Sequence, residues 1–259
     1  MEIIQADIYD YPRYYDLVYG SDWHAEFHFL LGCFERHVAK PVRGVFEPAC
    51  GTGRLLFRLG REGYEVSGLD LNPKAVEYCN DRLQRHGLPA SVFVGDMTRF
   101  RLPRKVDAAF NMINSFRHLQ DEKSAVQHLR AMAAAVRKGG IYVLGLHLTP
   151  TKGRAMDEES WSARRGHLGV TTRLWTKRRD LRQRQEQCGM IYDVYTPTRH
   201  LRLAGDIVFR TYTWPQFKSL LAKVAEFEIA ALYDFSYDLE KAVEINQSTE
   251  DVVFVLRKR

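Results

Sequence analysis

The sequence predicts a doubly wound α/β fold, in which helices cover both faces of a parallel sheet. Short apolar runs alternate with amphipathic segments between residues 42 and 150, and the first apolar run leads through a glycine turn into a helical pattern. Strands separated by helices in this way form parallel sheets through right-handed crossovers. The uninterrupted apolar runs are typical of strands that are buried on both faces.

The individual elements follow from hydrophobic spacing. Apolar residues at i, i+3, i+4 and i+7 predict an amphipathic helix near the N-terminus, at Phe27, Leu30, Leu31 and Phe34. Strands are predicted at residues 42–47, 64–70, 91–94, 106–113 and 141–148, with helices at 54–60, 73–86 and 122–136. Asn72 or Pro73 begins the second of these helices, and Gly139-Gly140 ends the third.

After Pro150 the pattern becomes β-rich and loses its helices. Strands are predicted at 171–176, 187–195 and 201–212, with a turn at 177–180, followed by a helix at 214–224 with Thr213 as N-cap. Two last strands are predicted at 227–233 and 252–256. We therefore divide the chain into a core, residues 1–150 and 213–259, and an antiparallel insertion, residues 151–212, that serves as a lid, a substrate wall or a dimer surface.

Composition limits the class of protein. The chain has 259 residues, 45% hydrophobic and 27% charged, which is ordinary for a soluble globular protein. No apolar run approaches the roughly 18–20 residues that cross a bilayer, and residues 1–7 lack the features of a signal peptide. The four cysteines are scattered without a C-x-x-C pair, which argues against a disulfide framework or a metal cluster. We expect a cytoplasmic protein without a metal site or a membrane partner.

The excess positive charge belongs to one segment. Residues 151–215 hold 13 Lys/Arg, Arg154 among them, and seven Asp/Glu, while the rest of the chain is balanced. One interpretation is a solvated lid or dimer surface whose charges prevent strand-edge pairing. A second is a lid that binds an acidic or phosphorylated small molecule through arginines. The third, an RNA-binding appendage, is the least favoured, because Trp161 and Trp175 supply few aromatics and no RNA-binding motif is present.

Acidic residues follow three successive predicted strands. Glu47 closes the first strand, Asp70 the second, and Asp96 follows the third. In doubly wound sheets, ligands bind outside the carboxyl ends of the strands, so these carboxylates should meet at one crevice. A carboxylate such as that of Asp70 can accept hydrogen bonds from two hydroxyl groups, and a glycine turn at a helix N-terminus lets a ligand approach backbone N–H groups. A nucleotide-type ligand fits this combination.

A nicotinamide dinucleotide is the main competitor for this crevice. Asp70 lies about 20 residues after the glycines, as the dinucleotide fingerprint requires. The third glycine of that fingerprint is absent, however, because Leu56 stands in its place. Glu47 and Asp96 also have no obvious role in a dinucleotide site. These departures exclude NAD as the predicted cofactor.

Several motifs together resemble the class I S-adenosylmethionine-dependent methyltransferases. The matching segments are Glu47-Pro48-Ala49-Cys50-Gly51-Thr52-Gly53, Gly68-Leu69-Asp70-Leu71-Asn72, Gly95-Asp96-Met97 and Phe110-Asn111-Met112-Ile113-Asn114-Ser115. The resemblance implies a seven-stranded, mostly parallel, Rossmann-like sheet with an antiparallel last strand. It also implies S-adenosylmethionine as cofactor, S-adenosylhomocysteine as product, and methyl transfer to N, O or another nucleophile of a small molecule.

The same resemblance implies a set of cofactor-binding residues. They are Tyr15, Tyr19, Glu47, Ala49, Cys50, Gly51, Gly53, Asp70, Leu71, Asp96, Met97, Asn111 and Met112. Tyr15-Asp16-Leu17-Val18-Tyr19 resembles a segment that family members place over the cofactor; the alternative is aromatic packing of a terminal helix. The family usually has glycine at the position of Ala49, and alanine is tolerable there if the residue keeps a negative φ.

Methyl transfer from a sulfonium is an in-line displacement, for which a catalytic side chain is optional. If the nucleophile must lose a proton, His147 is the first candidate base, with Tyr19 and His118 behind it. Asn111 and Asn114 either position a ligand or satisfy backbone groups at the end of a strand. A packed or surface histidine is the alternative for His147.

Two alternatives to a small-molecule methyltransferase stay open at this point. An RNA methyltransferase would use the basic insertion, and a methyltransferase-like protein without turnover would only bind the cofactor. The intact acidic residues at three strand ends argue against the non-catalytic protein. Both a monomer and a homodimer are compatible with the sequence.

Overall fold

The computed structural model describes residues 2–153 and 155–259; Met1 and Arg154 lie outside the described residues. In chain order the strands are β1 (Glu2–Gln5), β2 (Gly44–Pro48), β3 (Glu65–Asp70), β4 (Val92–Val94), β5 (Val106–Asn111), β6 (Val136–His147), β7 (Glu158–Arg165), β8 (Leu168–Asp180), β9 (Gln185–Tyr195), β10 (His200–Arg210), β11 (Phe227–Tyr233) and β12 (Asp251–Lys258). The helices are α1 (Pro12–Tyr19), α2 (His24–His37), α3 (Leu56–Arg61), α4 (Pro73–Arg85), α5 (Glu122–Ala135) and α6 (Trp214–Leu221). Short 3-10 helices lie at Ile8–Asp10 and Ser115–His118.

Seven strands form the central sheet in the order β11-β12-β6-β5-β2-β3-β4. The pairs β2–β3, β3–β4, β2–β5 and β5–β6 are parallel, whereas β12 is antiparallel to both β6 and β11. The predicted seven-stranded, mostly parallel sheet with an antiparallel last strand is confirmed. The strand order reverses at β2, so the switch-point crevice lies beside the glycine turn that follows β2.

Helices cover both faces of this sheet, as doubly wound folds require. Along β6, Tyr142 and Leu144 pack with α5 and α6, whereas Ile141 and Val143 pack with α2, α3 and α4. Successive strand residues point to opposite faces, so a strand that is apolar throughout serves two cores. This double burial explains why the core strands could be predicted from apolar runs.

A second sheet, in the order β1-β10-β9-β8-β7, contains the insertion. Its strands are antiparallel except for β1, which runs parallel to β10 and pairs Ile3 with Arg202. The antiparallel character of the insertion is confirmed. Residues 2–5, which the sequence assigns to the core, therefore pair with the insertion, while the division into domains stays a prediction.

Two details of the predicted insertion are wrong. Residues 177–180, predicted as a turn, belong to β8, and the turn follows at 181–184, where Arg184 has a φ of 57°. Strand β7 was not predicted, because its side chains are mostly charged and exposed, and an exposed strand shows no apolar alternation.

Helix boundaries follow the sequence closely, with one exception. Thr213 begins α6 as predicted, and its N–H donates to Gln216 Oε1 at 3.0 Å. The exception is α6, which ends at Leu221, three residues before its predicted end; α5 ends at Ala135, one residue before its predicted end, and Gly139-Gly140 lie within β6. No helix within residues 2–153 and 155–259 is long and apolar enough to cross a membrane.

Candidate active site

A cavity of about 800 Å³ lies between the carboxyl-end edge of the central sheet and the insertion sheet. The glycine turn and the ends of β3, β5 and β6 form one wall, and β7 to β10 form the other. Helix α1 closes one side with Tyr15 and Tyr19. Ligand pockets typically measure about 300–1,000 Å³, so this cavity is large enough for a nucleoside cofactor with a small second molecule.

The glycine turn is held in a left-handed backbone conformation at three of its five residues. The φ angles are 50° at Ala49, 52° at Gly51 and 65° at Gly53. The condition of a negative φ, under which alanine would be tolerated without strain, is therefore not met at Ala49. A left-handed residue other than glycine costs about 1–2 kcal/mol, so Ala49 is strained.

The two glycines of this turn serve different purposes. A Cβ at Gly53 would lie 2.2 Å from Cys79 Sγ, so Gly53 allows the turn to pack on α4. A Cβ at Gly51 would meet only Tyr15 Cε1, at 3.7 Å, and Gly51 lines the cavity. Of the predicted turn residues, Ala49 and Gly51 line the cavity, whereas Cys50 and Gly53 are not among its lining residues.

Asp70 lies at the end of β3 and lines the cavity. Its Oδ2 accepts from the Gly51 N–H and its Oδ1 from the Asn72 N–H, both at 2.8 Å. Burial raises the pKa of Asp70, while these two backbone donors act against the shift. Each carboxylate oxygen has a second lone pair, so the oriented carboxylate can still accept hydrogen bonds from two ligand hydroxyls.

Glu47 is buried at the end of β2 and does not line the cavity. Among the described residues, its Oε2 has no hydrogen-bond partner. Burial raises the pKa of Glu47 well above its ordinary value, and Arg54 opposes the shift. Arg54 itself is paired with Glu26, which lines the cavity and accepts from Tyr237 Oη at 3.0 Å. An unpartnered buried carboxyl of this kind calls for a polar partner, which residues 2–153 and 155–259 do not supply.

The other predicted cofactor-binding residues differ in whether they line the cavity. Met97 is buried, lines the cavity, and accepts from His128 Nδ1 through its carbonyl at 3.0 Å. Asp96 is exposed and is not among the lining residues, because its carboxylate accepts from the Thr98 N–H at 2.7 Å. Leu71 and Met112 also line the cavity.

Asn111 is buried at the end of β5 without lining the cavity. Its Nδ2 donates to the Pro48 carbonyl at 2.8 Å, which ties β5 to the start of the glycine turn. Its Oδ1 has no hydrogen-bond partner among the described residues. A ligand role for Asn111 therefore stays a prediction.

The tyrosines of α1 form an aromatic wall. The ring centroids of Tyr15 and Tyr19 are 4.6 Å apart, and Tyr19 lies 5.8 Å from the ring of Trp161 on β7. Burial raises the pKa of both tyrosines, so their hydroxyls stay protonated. The predicted placement of these rings against the cavity agrees with the structure, and cofactor contact stays a prediction.

Asp16, between the two tyrosines, fastens α1 to the core. Its carboxylate is paired with Arg82 and accepts from Thr52 Oγ1 at 3.1 Å and from Tyr78 Oη at 3.2 Å. Thr52 belongs to the glycine turn, so the aromatic wall and the turn are linked through one buried carboxylate. Asp16 is only 1% exposed.

His147 and Asp251 form a hydrogen-bonded pair in the cavity wall. His147 Nδ1 is bonded to Asp251 Oδ1, and the His147 N–H donates to Asn114 Oδ1 at 2.9 Å. Asn114 adopts a left-handed φ of 55° to make this contact. A carboxylate on Nδ1 fixes the proton there and leaves Nε2 as an acceptor.

His118, a further candidate base after His147, also lines the cavity. Its Nε2 is 3.1 Å from Tyr9 Oη. Burial lowers the pKa of His118, and Arg117 lowers it further, so the ring is neutral near pH 7.

Carboxylates dominate the cavity. Ten acidic residues line it, namely Asp7, Asp10, Glu26, Asp70, Asp157, Glu158, Glu159, Glu186, Glu250 and Asp251. Among the described residues, Arg117 and Arg179 are its only Lys/Arg, and both are paired with Glu186. This balance does not support the predicted acid-binding lid.

The basic residues of the insertion are largely engaged elsewhere. Arg173 pairs with Glu158 at 2.6 Å, Lys177 with Asp206 at 2.5 Å, and Arg202 with Asp193 at 2.7 Å. With Arg178, Arg179 and Arg199, six of the insertion's basic residues form ion pairs within its own sheet, while Arg165 and Arg184 pair with carboxylates of the core. The predicted surface interpretation agrees with this arrangement better than the other two.

Sequence reasoning missed several cavity residues. Asp251 reaches His147 because β12 pairs antiparallel with β6, and the register places these two residues opposite each other. Arg117 and Glu186 meet because the insertion folds over the core. Neither contact has a local sequence signal, although a carboxylate at the start of the predicted last strand would have been a reasonable candidate.

Comparison with known proteins identifies similar chains. Residues 45–140 match the protein-family profile described as a methyltransferase domain. The chain is 27% identical over 143 residues to the dTDP-3-amino-3,4,6-trideoxy-alpha-D-glucopyranose N,N-dimethyltransferase of Streptomyces venezuelae, covering 55% of this chain and 57% of that protein. It is 32% identical over 130 residues to the glycine N-methyltransferase of Oryctolagus cuniculus, covering 44% of this chain and 43% of that protein. The chain thus spans about half the length of these curated relatives.

A solved structure matches over nearly the whole chain. It is the S-adenosylmethionine-dependent methyltransferase of Clostridium acetobutylicum ATCC 824, with a TM-score of 0.78 over 97% of this chain and 99% of that one. The sequence identity is 15%, so this likeness concerns the fold. The insertion sheet is included in the match, since 97% of this chain is covered.

Proposed function

We propose that this chain, whose residues 45–140 match a methyltransferase-domain profile and whose fold resembles that of an S-adenosylmethionine-dependent methyltransferase, methylates an amine. The methyl donor is S-adenosylmethionine, and the acceptor is a nitrogen of a small molecule. The single observation that carries the choice of acceptor is the excess of carboxylates in the cavity, since five of them have no Lys/Arg partner among the described residues: Asp7, Asp70, Glu159, Glu250 and Asp251. The four cysteines are free and buried, which suits a reducing compartment, and we place the reaction in the cytoplasm.

The cavity residues in and near the glycine turn suit the binding of S-adenosylmethionine. Asp70 presents an oriented carboxylate to ribose hydroxyls, Gly51 exposes backbone at the turn, and Met97 offers an apolar contact for a flat base. Tyr15 and Tyr19 add aromatic surface that excludes water from the same space. S-adenosylmethionine supplies a methyl group activated by the neighbouring positive sulfur. The protein supplies position and a dry cavity.

The charge of the cavity favours a cationic acceptor. Both arginines in the wall are bound to Glu186, while Glu159, Glu250 and Asp251 remain in the part of the wall near His147. Unbalanced carboxylates in a partly enclosed space attract an ammonium group and repel an acidic one. The relatives from Streptomyces venezuelae and Oryctolagus cuniculus are both named as N-methyltransferases, which supports the same choice.

An ammonium group must lose a proton before its nitrogen can attack a methyl group. His147 is suited to accept that proton at Nε2, because Asp251 holds the proton of Nδ1 and stabilises the ring once it is charged. Burial raises the pKa of Glu159, and the charge of His147 opposes the shift, so these groups lie close enough to influence each other. We propose His147 as the general base and Asp251 as the residue that positions it.

The test is a panel of acceptors with isotope-labelled S-adenosylmethionine. Small primary and secondary amines, amino sugars among them, should accept label, whereas alcohols, carboxylic acids and thiols of similar size should not. Asp70→Asn should abolish transfer through loss of cofactor binding, and Asp206→Asn, an exposed carboxylate paired with Lys177, should leave it unchanged. Label in bulk tRNA or rRNA but in no amine would overturn the proposal, as would cofactor binding without any turnover.

A further inference from the structure

A second cleft lies on the other side of α1 from the active-site cavity. Its volume is about 360 Å³, and the described residues that line it are all different from those that line the cavity. Helix α1 separates the two spaces, since Asp16 faces the cleft while Tyr15 and Tyr19 line the cavity. The cleft is therefore an independent feature of the molecule.

Four arginines from three elements converge on this cleft: Arg58 of α3, Arg82 and Arg85 of α4, and Arg165 of β7. Asp16 is the only acidic residue that lines it within the described part of the chain. Four guanidinium groups against one carboxylate leave a formal excess of three positive charges. Charges brought together from separate elements in a concave space require a counter-charge to be stable.

The protein supplies only part of that counter-charge. Asp16 is paired with Arg82 and lies 3.6 Å from Arg165. Arg58 and Arg85 have no ion pair with any described residue; their side chains donate to the Arg54 and Asp81 carbonyls, at 3.1 Å in the case of Arg85. Carbonyl oxygens orient these side chains but do not neutralise them.

Aromatic rings hold the arginines in place. The Arg58 guanidinium lies 4.0 Å from the ring centroid of Trp23 and 4.4 Å from that of Phe57, and Arg82 lies 4.8 Å from Phe57. Such stacking fixes the plane of a guanidinium group while leaving its charge available. Burial and, to a lesser extent, the neighbouring Arg82 lower the pKa of Arg58 to about 10, as expected for a cation that lacks a counter-ion.

We propose that this cleft binds a phosphate-type oxyanion, such as the phosphomonoester or diphosphate of a small molecule. Guanidinium groups with fixed planes donate paired hydrogen bonds to phosphate oxygens. Arg82, with a side chain only 10% exposed, forms the floor of the site, and Arg58 and Arg85 supply the free donors. The proposal rests on the charge and shape of the cleft and is independent of the methyltransferase activity.

Calorimetric titration of the full chain with pyrophosphate, at constant ionic strength, tests the site. We expect a dissociation constant below about 1 mM, equivalent to about −4 kcal/mol. Saturating S-adenosylhomocysteine should leave this value unchanged, since the cleft and the cavity share no lining residue. Inorganic phosphate and a sugar phosphate, titrated in parallel, distinguish a free-phosphate site from one that reads an organic phosphate.

Substitutions give the decisive comparison. Arg58→Gln with Arg85→Gln should weaken pyrophosphate binding at least ten-fold, while Arg130→Gln, an exposed arginine on α5, should have no effect. Because Arg58 also packs on Trp23, Arg85→Gln alone should weaken binding at least three-fold if the double variant fails to fold. Binding that persists unchanged in these variants, or is absent up to 10 mM pyrophosphate, would overturn the proposal. So would binding confined to RNA with a steep salt dependence.

Discussion

At the scale of single residues, backbone hydrogen bonds fix the conformation of the turn from Ala49 to Gly53 beside the cavity. The Cys50 N–H donates to the Leu69 carbonyl and the Gly53 N–H to the Cys50 carbonyl, both at 2.9 Å. These bonds fix the chain tightly enough to hold Ala49 in a left-handed conformation. Alanine at this position therefore lowers the stability of the protein and places a methyl group beside the cavity.

Ala49→Gly should stabilise the protein by about 0.5–1 kcal/mol. Relief of left-handed strain exceeds the extra chain entropy that glycine brings to the unfolded state. Denaturant unfolding measures the change. Ala134→Gly, at an exposed position in α5, is the matched control and should cost about 1 kcal/mol. Equal destabilisation by the two substitutions would contradict the strain argument.

The pair of His147 and Asp251 gives a second prediction at this scale. Asp251→Asn removes the charge that holds Nδ1 of His147 and stabilises the protonated ring. We expect kcat for an amine to fall at least about ten-fold, with the dissociation constant of the cofactor unchanged. Steady-state kinetics and calorimetry together make the distinction, with Asp206→Asn as control. An unchanged kcat would show that His147 is only a packed histidine.

At the scale of elements, α1 connects three parts of the molecule. It packs against β7 and β8, lines the cavity with two tyrosines, and is fastened to the glycine turn through Asp16. A short helix is marginal by itself, so its position depends on these contacts. The Tyr15-Asp16-Leu17-Val18-Tyr19 segment therefore has a structural explanation for each polar residue.

Tyr19→Ala should weaken cofactor binding at least several-fold, because it removes the ring that packs against Tyr15 and Trp161. Tyr19→Phe keeps that ring and should bind nearly as well as the wild type. Tyr14→Ala is the control, since Tyr14 stacks on Tyr11 outside the cavity. Calorimetric titration with S-adenosylhomocysteine measures all three. A dissociation constant unaffected by Tyr19→Ala would rule out the covering role.

The observed strands also show which elements can be predicted from the sequence. The strands of the parallel sheet were predicted within a few residues, except at the N-terminal end of β6, because burial on both faces makes the central strands β2, β5 and β6 largely apolar. β7 was missed because both of its faces are largely exposed, and β8 was cut short because its last four residues are charged.

In the candidate site, too, residues with a local sequence pattern were predicted and residues brought together by strand pairing were not. Asp70 and Gly51 were predicted because strand ends and turns have local patterns, and both lie at the cavity. The register that brings Asp251 to His147 arises from pairing between segments a hundred residues apart, and no local pattern encodes it.

At the scale of the whole molecule, a buried ion-pair network joins the core to the insertion. Glu186 on β9 is paired with Arg117 of the core and with Arg179 of β8, and it accepts from Thr176 Oγ1 at 2.7 Å. Its side chain is 7% exposed. Burial raises the pKa of Glu186, but Arg117, Thr176 and Arg179 outweigh burial and hold it below the ordinary value of 4.5.

Glu186→Gln should destabilise the protein by about 3 kcal/mol at pH 7, because the buried Arg117 loses its counter-charge and the partly exposed Arg179 keeps only Asp157. A lowered folded pKa contributes stability that is present above the unfolded value of 4.5 and is lost as the pH falls through the folded value. The difference between wild type and variant should therefore be constant above about pH 5 and shrink below it. Urea unfolding between pH 3 and pH 8 measures it. A difference that grows on acidification would contradict the network.

The central claim, that the glycine turn and Asp70 form the edge of an S-adenosylmethionine site, is tested most directly by thermal unfolding with three ligands in parallel. S-adenosylmethionine and S-adenosylhomocysteine should each raise the melting temperature, by an amount equivalent to about 2.7 kcal/mol at a hundred times the dissociation constant. NAD at the same concentration should leave it unchanged, because Leu56 occupies the position of the third glycine. Stabilisation by NAD, with none by the two sulfur compounds, would contradict the account.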